Sequence, residues 1–274
     1  MMRKPEGARE ARVAVVTGGG RGLGRAMVLG LAGAGHAVVA TAARERAEVE
    51  AVAEEARALC GEERVLPLVA DVTRPDDCAA VVDAATRRFG RIDILVNNAG
   101  RGMKYVSERF LTEPTRFWET DPETWKMVID TNVNGPFLMA RAAVPAMVAA
   151  GWGRIVNVSM NRETMRRRGF SPYGPSKAAL ESETIIWAQD LADTGVTVNA
   201  LLPGGASLTG MIPEGVSEEA KAKLIDPAVM VPPLLWLASA ESDGVTGRRL
   251  IATKWQSELS GAAAAEAASE PAGW

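Results

Sequence analysis

Short runs of β-branched and aliphatic residues alternate along the chain with longer stretches whose apolar positions recur every three to four residues. The first run, Arg12-Val13-Ala14-Val15-Val16-Thr17, leads through a glycine-rich turn into a helical stretch at 22–34. A strand at 37–41, a helix at 45–59, a strand at 65–69, a helix at 76–89 and a strand at 92–96 follow. This alternation predicts βαβ units, and helical connections this short force the strands parallel. After a long loop, Asp121-Pro122-Glu123 opens a helix, with Asp as cap and Pro in the first turn, expected to run to about Ala150. A strand at 154–159, a helix at 171–191, a strand at 196–202, a helix near 227–238 and a strand near 249–252 complete the pattern.

The expectation is therefore α/β: a single-domain, Rossmann-like, doubly wound parallel sheet of about seven strands with helices on both faces. A polar arm at 1–11 precedes the domain at 12–256, and an alanine-rich tail at 257–274 follows it. The tail shows no core pattern and is expected to fray or to dock on a partner subunit. The apolar stretch at 26–43 changes period midway and contains Gly30, Gly33, Gly35 and His36, so it reads as helix, turn and strand rather than a membrane span.

Composition narrows the function. The 274 residues suit one large domain, and 47% apolar with 24% charged residues excludes disorder and coiled coil. With 31 basic and 34 acidic side chains the net charge is −3, so no field attracts nucleic acid or an anionic membrane. Cys60, Cys78 and His36 are too few soft ligands for a zinc site, and no metal is expected. Two cysteines without a secretory signal read as reduced thiols in a cytoplasmic protein. His36 falls between the first helix and the second strand, the wrong end of the sheet for the base of a serine hydrolase.

Between the first strand and helix stands Thr17-Gly18-Gly19-Gly20-Arg21-Gly22-Leu23-Gly24. Glycines there let backbone approach a pyrophosphate at a helix N-terminus, although an isolated pattern equally suits a tight connection. Other constellations add weight: Asp71-Val72 after strand three, Asn97-Asn98-Ala99-Gly100 after strand four and Pro203-Gly204 after strand six. Tyr173 and Lys177, four apart, share one face of a helix. An ammonium there would lower the phenol's pKa and make it a usable acid/base. Ser159 ends strand five at the edge where open α/β sheets bind ligands, and its hydroxyl can polarise a carbonyl oxygen.

With these motifs the chain resembles the classical short-chain dehydrogenase/reductase family from about Arg12 to Ala252. The resemblance implies a catalytic set of Ser159, Tyr173 and Lys177, with Asn132 in Asn132-Val133-Asn134-Gly135 as the fourth member. It implies cofactor contacts from Gly18, Gly20, Arg21, Gly22 and Leu23, from Asp71 and Val72 at the adenine, from Asn98, Ala99 and Gly100, and from Tyr173 and Lys177. Pro203 and Gly204 would border the nicotinamide, with Thr209 at its carboxamide, one residue late because Gly205 enlarges the turn. It implies hydride transfer to a carbonyl, Ser159 and Tyr173 donating to the developing alkoxide, Tyr173 giving the proton and Asn132 anchoring a water relay to Lys177. By the same analogy the chain is a homo-oligomer, tetramer or dimer.

Strand two ends in Thr41-Ala42-Ala43-Arg44 without the carboxylate that binds a ribose diol, while Arg44 and Arg21 suit a 2′-phosphate, which favours NADP(H) over NAD(H). The loop at 101–120 carries Met103, Tyr105, Phe110, Leu111, Phe117 and Trp118 and is expected to wall the substrate pocket. Three consecutive arginines, Arg166 to Arg168, read as a solvated face, and Arg162 as the better contact for a polar substrate group. Trp255 or the tail is expected at the pocket's C-terminal wall. The reaction expected is reduction of a small or medium apolar ketone, cyclic or aryl, or its reverse. A non-redox lyase or epimerase on the same scaffold and an NADP-sensing regulatory protein are the alternatives.

Overall fold

The computed structural model describes residues 11–213 and 217–273. The predicted polar arm, apart from Ala11, lies outside the described residues. Eight strands form one sheet in the order β3-β2-β1-β4-β5-β6-β7-β8. They are β1 (Val13–Val16), β2 (Ala37–Ala42), β3 (Val65–Val69), β4 (Ile94–Asn97), β5 (Gly153–Val158), β6 (Val196–Leu202), β7 (Arg248–Ile251) and β8 (Ser269–Pro271). All neighbours pair in parallel except β7 and β8, which run antiparallel.

The helices are α1 (Gly22–Gly33), α2 (Arg46–Cys60), α3 (Pro75–Phe89), α4 (Pro122–Ile129), α5 (Gly135–Ala150), α6 (Arg162–Met165), α7 (Tyr173–Asp190), α8 (Glu218–Lys221), α9 (Val231–Leu237) and α10 (Gly261–Ala268). Side chains alternate along β1: Ala14 and Val16 face one layer with Met27, Val28 and Leu31 of α1 and Leu234 of α9. Val13 and Val15 face the other, with Val81 and Ala85 of α3 and Met139, Ala143 and Met147 of α5. Each such fully buried aliphatic side chain contributes about 1.5–3 kcal/mol. The stretch from Pro122 to Ala150 is long and apolar enough by composition to cross a membrane. Its buried positions, however, lie against the sheet.

Two expectations change here. The helix foreseen from Pro122 to Ala150 is interrupted at Asp130–Asn134 by one π turn, which re-aims the residues inside it. The tail does not fray. Ser260 accepts a hydrogen bond from the Ala263 N–H and caps α10, whose Ala264, Ala265 and Ala268 are buried, and β8 then adds an eighth strand beside β7. An alanine face carries too weak a pattern to announce a core helix, yet it lets the helix lie close to the sheet.

Candidate active site

Strand order reverses between β1 and β4, and a crevice opens there at the carboxyl ends of the strands, where doubly wound sheets hold ligands. A cavity of about 560 Å³ occupies it. Its first wall is the turn from β1 into α1. Thr17 Oγ1 accepts the backbone N–H groups of Asn98 and Ala99 at 3.0 Å each, and Asn98 Nδ2 donates to the carbonyls of Thr17 and Gly18 at 2.8 and 3.0 Å. The turn is thereby tied to the segment after β4. A Cβ on Gly24 would stand 2.0 Å from the Gly18 carbonyl oxygen, so the tight approach of α1 to the turn excludes any side chain there. No side chain caps α1 and no acid lies in its first turn, so its N–H groups remain open toward the cavity. A dinucleotide's pyrophosphate fits that donor set.

Of the residues the sequence assigns to the cofactor, Gly18, Gly20, Arg21, Leu23, Arg44, Asp71, Val72, Asn98, Ala99, Gly100, Tyr173, Lys177, Pro203, Gly204 and Thr209 all line the cavity. Gly22 instead sits behind the wall, where a Cβ would meet the Thr209 side chain at 3.1 Å. Asp71 shapes its own turn by accepting from the Thr73 N–H and hydroxyl at 3.0 and 2.8 Å. Arg21 and Arg44 are exposed at the rim. Two carboxylates that the end of strand two does not announce, Glu45 and Glu48, also line this end, and Glu48 pairs with Arg21 at 3.3 Å. Position in the first turn of α2 was the one sequence signal for Glu48.

The opposite wall rests on α7. Asn97 Nδ2 donates to Asn157 Oδ1, and Asn157 Nδ2 donates to Thr184 Oγ1, each at 2.9 Å, so a buried ladder joins β4, β5 and α7. Lys177 is buried and donates to the Val158 carbonyl at 2.7 Å. Tyr173 is half-buried on the cavity side, its hydroxyl 4.0 Å from Met211 Sδ. Burial pushes the phenol up to about 12 and the Lys177 ammonium down to about 8. Desolvation, rather than the neighbouring ammonium foreseen from the spacing, therefore sets both groups in this chain. The phenol holds its proton at neutral pH and is ready to act as an acid.

Asn132 is fully buried inside the π turn and stands outside the cavity wall. Its Nδ2 donates to the Arg101 carbonyl and to Ser176 Oγ, both at 2.9 Å, and its Oδ1 accepts the Arg101 N–H at 2.8 Å. The side chain thus bolts the segment after β4 to α7, with both amide N–H donors taken by protein partners. Ser159 lines the cavity but donates its hydroxyl proton to Glu181 Oε1 at 2.7 Å. Ser159 and Tyr173 share no hydrogen bond among the described residues.

Met103, Tyr105, Phe110 and Leu111 wall the outer cavity, and Phe110 meets Phe170 edge-on at 5.8 Å. Phe117 and Trp118 stand exposed away from it. Of the consecutive arginines only Arg167 reaches the wall, over the Phe170 ring at 5.1 Å. Arg162 does not touch the cavity. It grips the tail instead, donating to the Gly273 and Pro271 carbonyls at 2.6 and 2.7 Å. Trp255 packs on Trp236 beneath the sheet, and neither it nor the tail enters the wall. His36 Nδ1 accepts the Arg12 N–H in its turn, and Cys60 and Cys78 are free thiols. Among the described residues no cluster of three acidic, histidine or cysteine side chains could hold a metal ion.

The arrangement is that of a nicotinamide-dependent oxidoreductase site. The family model for short chain dehydrogenase matches residues 12–220, and the chain belongs to that family. It is 33% identical over 246 residues to a 3-oxoacyl-[acyl-carrier-protein] reductase of Thermotoga maritima, covering 87% of this chain and 95% of that one. It is 32% identical over 254 residues to an acetoacetyl-CoA reductase of Shinella zoogloeoides, covering 90% of this chain and 98% of that protein. A crystal structure of a 3-ketoacyl-(acyl-carrier-protein) reductase from Brucella melitensis complexed with NADH superposes with a TM-score of 0.75 at 29% identity, over 86% of this chain and 94% of that one. The protein is accordingly an NAD(P)-dependent oxidoreductase acting on CH–OH and C=O groups.

Proposed function

We propose that the protein is an NADPH-dependent carbonyl reductase of small or medium apolar ketones, cyclic or aryl, able to run in reverse as an alcohol dehydrogenase. One observation carries this reading: Tyr173 and Lys177 share a single cavity with an apolar wall of Met103, Phe110, Leu111 and Phe170. A bound nicotinamide supplies or accepts a hydride at carbon. The protein's own residues do the rest. Tyr173 gives its proton to the substrate oxygen as charge develops there, and takes it back in the reverse direction. Lys177, held by the Val158 carbonyl, carries the donors that suit a ribose hydroxyl beside the phenol. Asn132 keeps the segment after β4 in register with α7. The apolar wall excludes water from the reacting carbonyl. Arg21 and Arg44 at the rim support NADPH over NADH by offering charge to a 2′-phosphate.

A 3-oxoacyl thioester is the second reading. Two relatives, the 3-oxoacyl-[acyl-carrier-protein] reductase and the acetoacetyl-CoA reductase, support that chemistry, and Arg101 and Arg167 in the wall offer charge to the phosphate of a phosphopantetheine arm. Association of copies, in a tetramer or dimer, is supported by Phe137 and Ile186, which stand 47% and 52% exposed on α5 and α7. The reading also keeps the protein cytoplasmic, with reduced thiols.

Titration with NADPH and with NADH, followed by nicotinamide fluorescence, tests the site. Addition of cyclic ketones, aryl ketones and acetoacetyl-CoA to the complex tests the substrate. Consumption of NADPH with the ketones alone is expected. Consumption only with the thioester replaces the first reading by the second, and tight binding without consumption leaves a non-redox or sensing protein.

A further inference from the structure

Two segments wall the outer end of the cavity: the loop after β4, with Met103, Tyr105 and Phe110, and the stretch after β5, with Phe170. They also touch each other. Phe110 lies edge-on to Phe170, and Thr115 Oγ1 donates to the Gly169 carbonyl at 2.8 Å. Each segment brings one guanidinium into the wall, Arg101 and Arg167. That of Arg101 lies over the Tyr105 ring at 4.7 Å, and that of Arg167 over the Phe170 ring at 5.1 Å. Stacking occupies the face of a guanidinium and leaves its N–H donors free in the plane. The backbone beneath Arg101 is fixed, since Asn132 bonds both its N–H and its carbonyl. Arg109 and Arg116 of the same loop pair with Glu113 and Glu119, and Arg162 pairs with Glu270. Arg101 and Arg167 meet no carboxylate among the described residues, although Glu108 and Glu163 belong to the same segments.

A guanidinium at the surface needs no partner beyond water. Two of them in the wall of an apolar cavity are different, because a ligand that fills it displaces that water. An anion placed there is held more strongly than in solvent, whereas a neutral ligand leaves both cations without compensation. We propose that the substrate is an anion: a cyclic or aryl ketone that itself carries a carboxylate, which Arg101 and Arg167 hold while Tyr173 serves the carbonyl. The paired N–H groups of arginine match the two oxygens of a carboxylate. Arg167 is exposed and Arg101 half-buried, whereas Lys177 is buried, so charge recognition falls at the mouth and proton transfer deeper in. The rings of Tyr105, Phe110 and Phe170 offer their faces and edges to the ring of such a ketone. A pantetheine arm also brings a phosphate, but its amides gain little from that aromatic surface. The inference rests on the proposed carbonyl reduction and narrows its substrates to acids.

Matched substrates test this: acetylbenzoate and oxocyclohexanecarboxylate against their methyl esters, with acetoacetyl-CoA as the phosphate-bearing arm. Esterification removes the charge and keeps both the ketone and the ring. The wild type is expected to show a kcat/KM about 25-fold higher for each acid than for its ester, carried by KM. R101Q and R167Q should each lower that acid-to-ester ratio about fivefold, and the double variant should bring it to about one. NADPH affinity by fluorescence should hold in all three. Higher salt should weaken the acids more than the esters. Esters reduced as well as the acids by the wild type, or variants that keep the wild-type ratio, overturn the inference and leave the reductase standing. Acetoacetyl-CoA reduced better than either acid, with the loss in R101Q and R167Q confined to it, assigns the two arginines to a phosphate and overturns the carboxylate. A wild type that binds NADPH yet reduces no carbonyl overturns the proposed function, and the inference with it.

Discussion

The two ends of the crevice are built by opposite means. The nucleotide end, around β1, β2 and α1, is made of backbone: glycines at 18, 22 and 24, one threonine hydroxyl and one asparagine amide. The end formed by β5, β7, β8 and α7 is made of long charged side chains buried together, with Ser159, Glu181 and Arg249 drawn from three distant parts of the chain. Backbone shape tolerates no added atom, whereas a side-chain network tolerates shape changes but not a missing partner. The first end therefore fails through sterics and the second through charge.

Four experiments sharpen that contrast, and the largest effect comes from the chemistry between the ends. Tyr173→Phe removes the proton donor without changing either wall, so kcat is expected to fall about a thousandfold or more while NADPH titration is unaffected. Near-normal turnover on a confirmed substrate would remove Tyr173 from the mechanism. Gly24→Ala places a methyl 2.0 Å from the Gly18 oxygen and should cost about 2–4 kcal/mol in urea unfolding, together with most of the nucleotide affinity. An alanine variant with normal affinity would mean the turn has slack.

The third experiment uses pH. Lys177 titrates near 8 in the folded chain against an ordinary 10.5, so between those values the unfolded chain binds a proton that the folded chain does not. Stability from this group rises as pH climbs through that window, by on the order of 3 kcal/mol at the top of it. Above pH 10 the sign reverses, because Tyr173 keeps its proton to about 12 while the unfolded chain loses one. Urea unfolding of wild type and Lys177→Met between pH 7.5 and 10 should show the wild type gaining on the variant, and parallel curves would refute it. The smallest effects lie at the exposed rim. Arg44→Ala should weaken NADPH about tenfold and leave NADH unchanged, whereas Glu48→Gln, by releasing Arg21, should improve NADPH about threefold. Equal changes for both nucleotides would separate this rim from the 2′-phosphate.

The same contrast explains what could be read from residues alone. The β1 turn, the Asn98 segment and the Tyr173–Lys177 pair are local patterns, each a few residues long, and the structure gathers them at one cavity. The role of Arg162 is not legible locally, because its partners lie 108 to 111 positions away and nothing near it hints at Glu270 or Gly273. The π turn at Asp130–Asn134 leaves no periodic trace over five residues. In the tail the alanine run carries no core pattern, and Ser-Glu-Pro has the look of a loop and is a strand only beside β7.

That last strand also governs how the protein meets other chains. Without β8, the parallel edge of β7 would present a row of unpaired N–H and C=O groups, a template for unwanted sheet extension. β8 covers that row over Arg248, Arg249 and Leu250 and is itself only three residues long, ending in Pro271, which has no N–H to offer. The segment that bonds Glu181 through Gly273 thus also closes an otherwise open edge of the sheet.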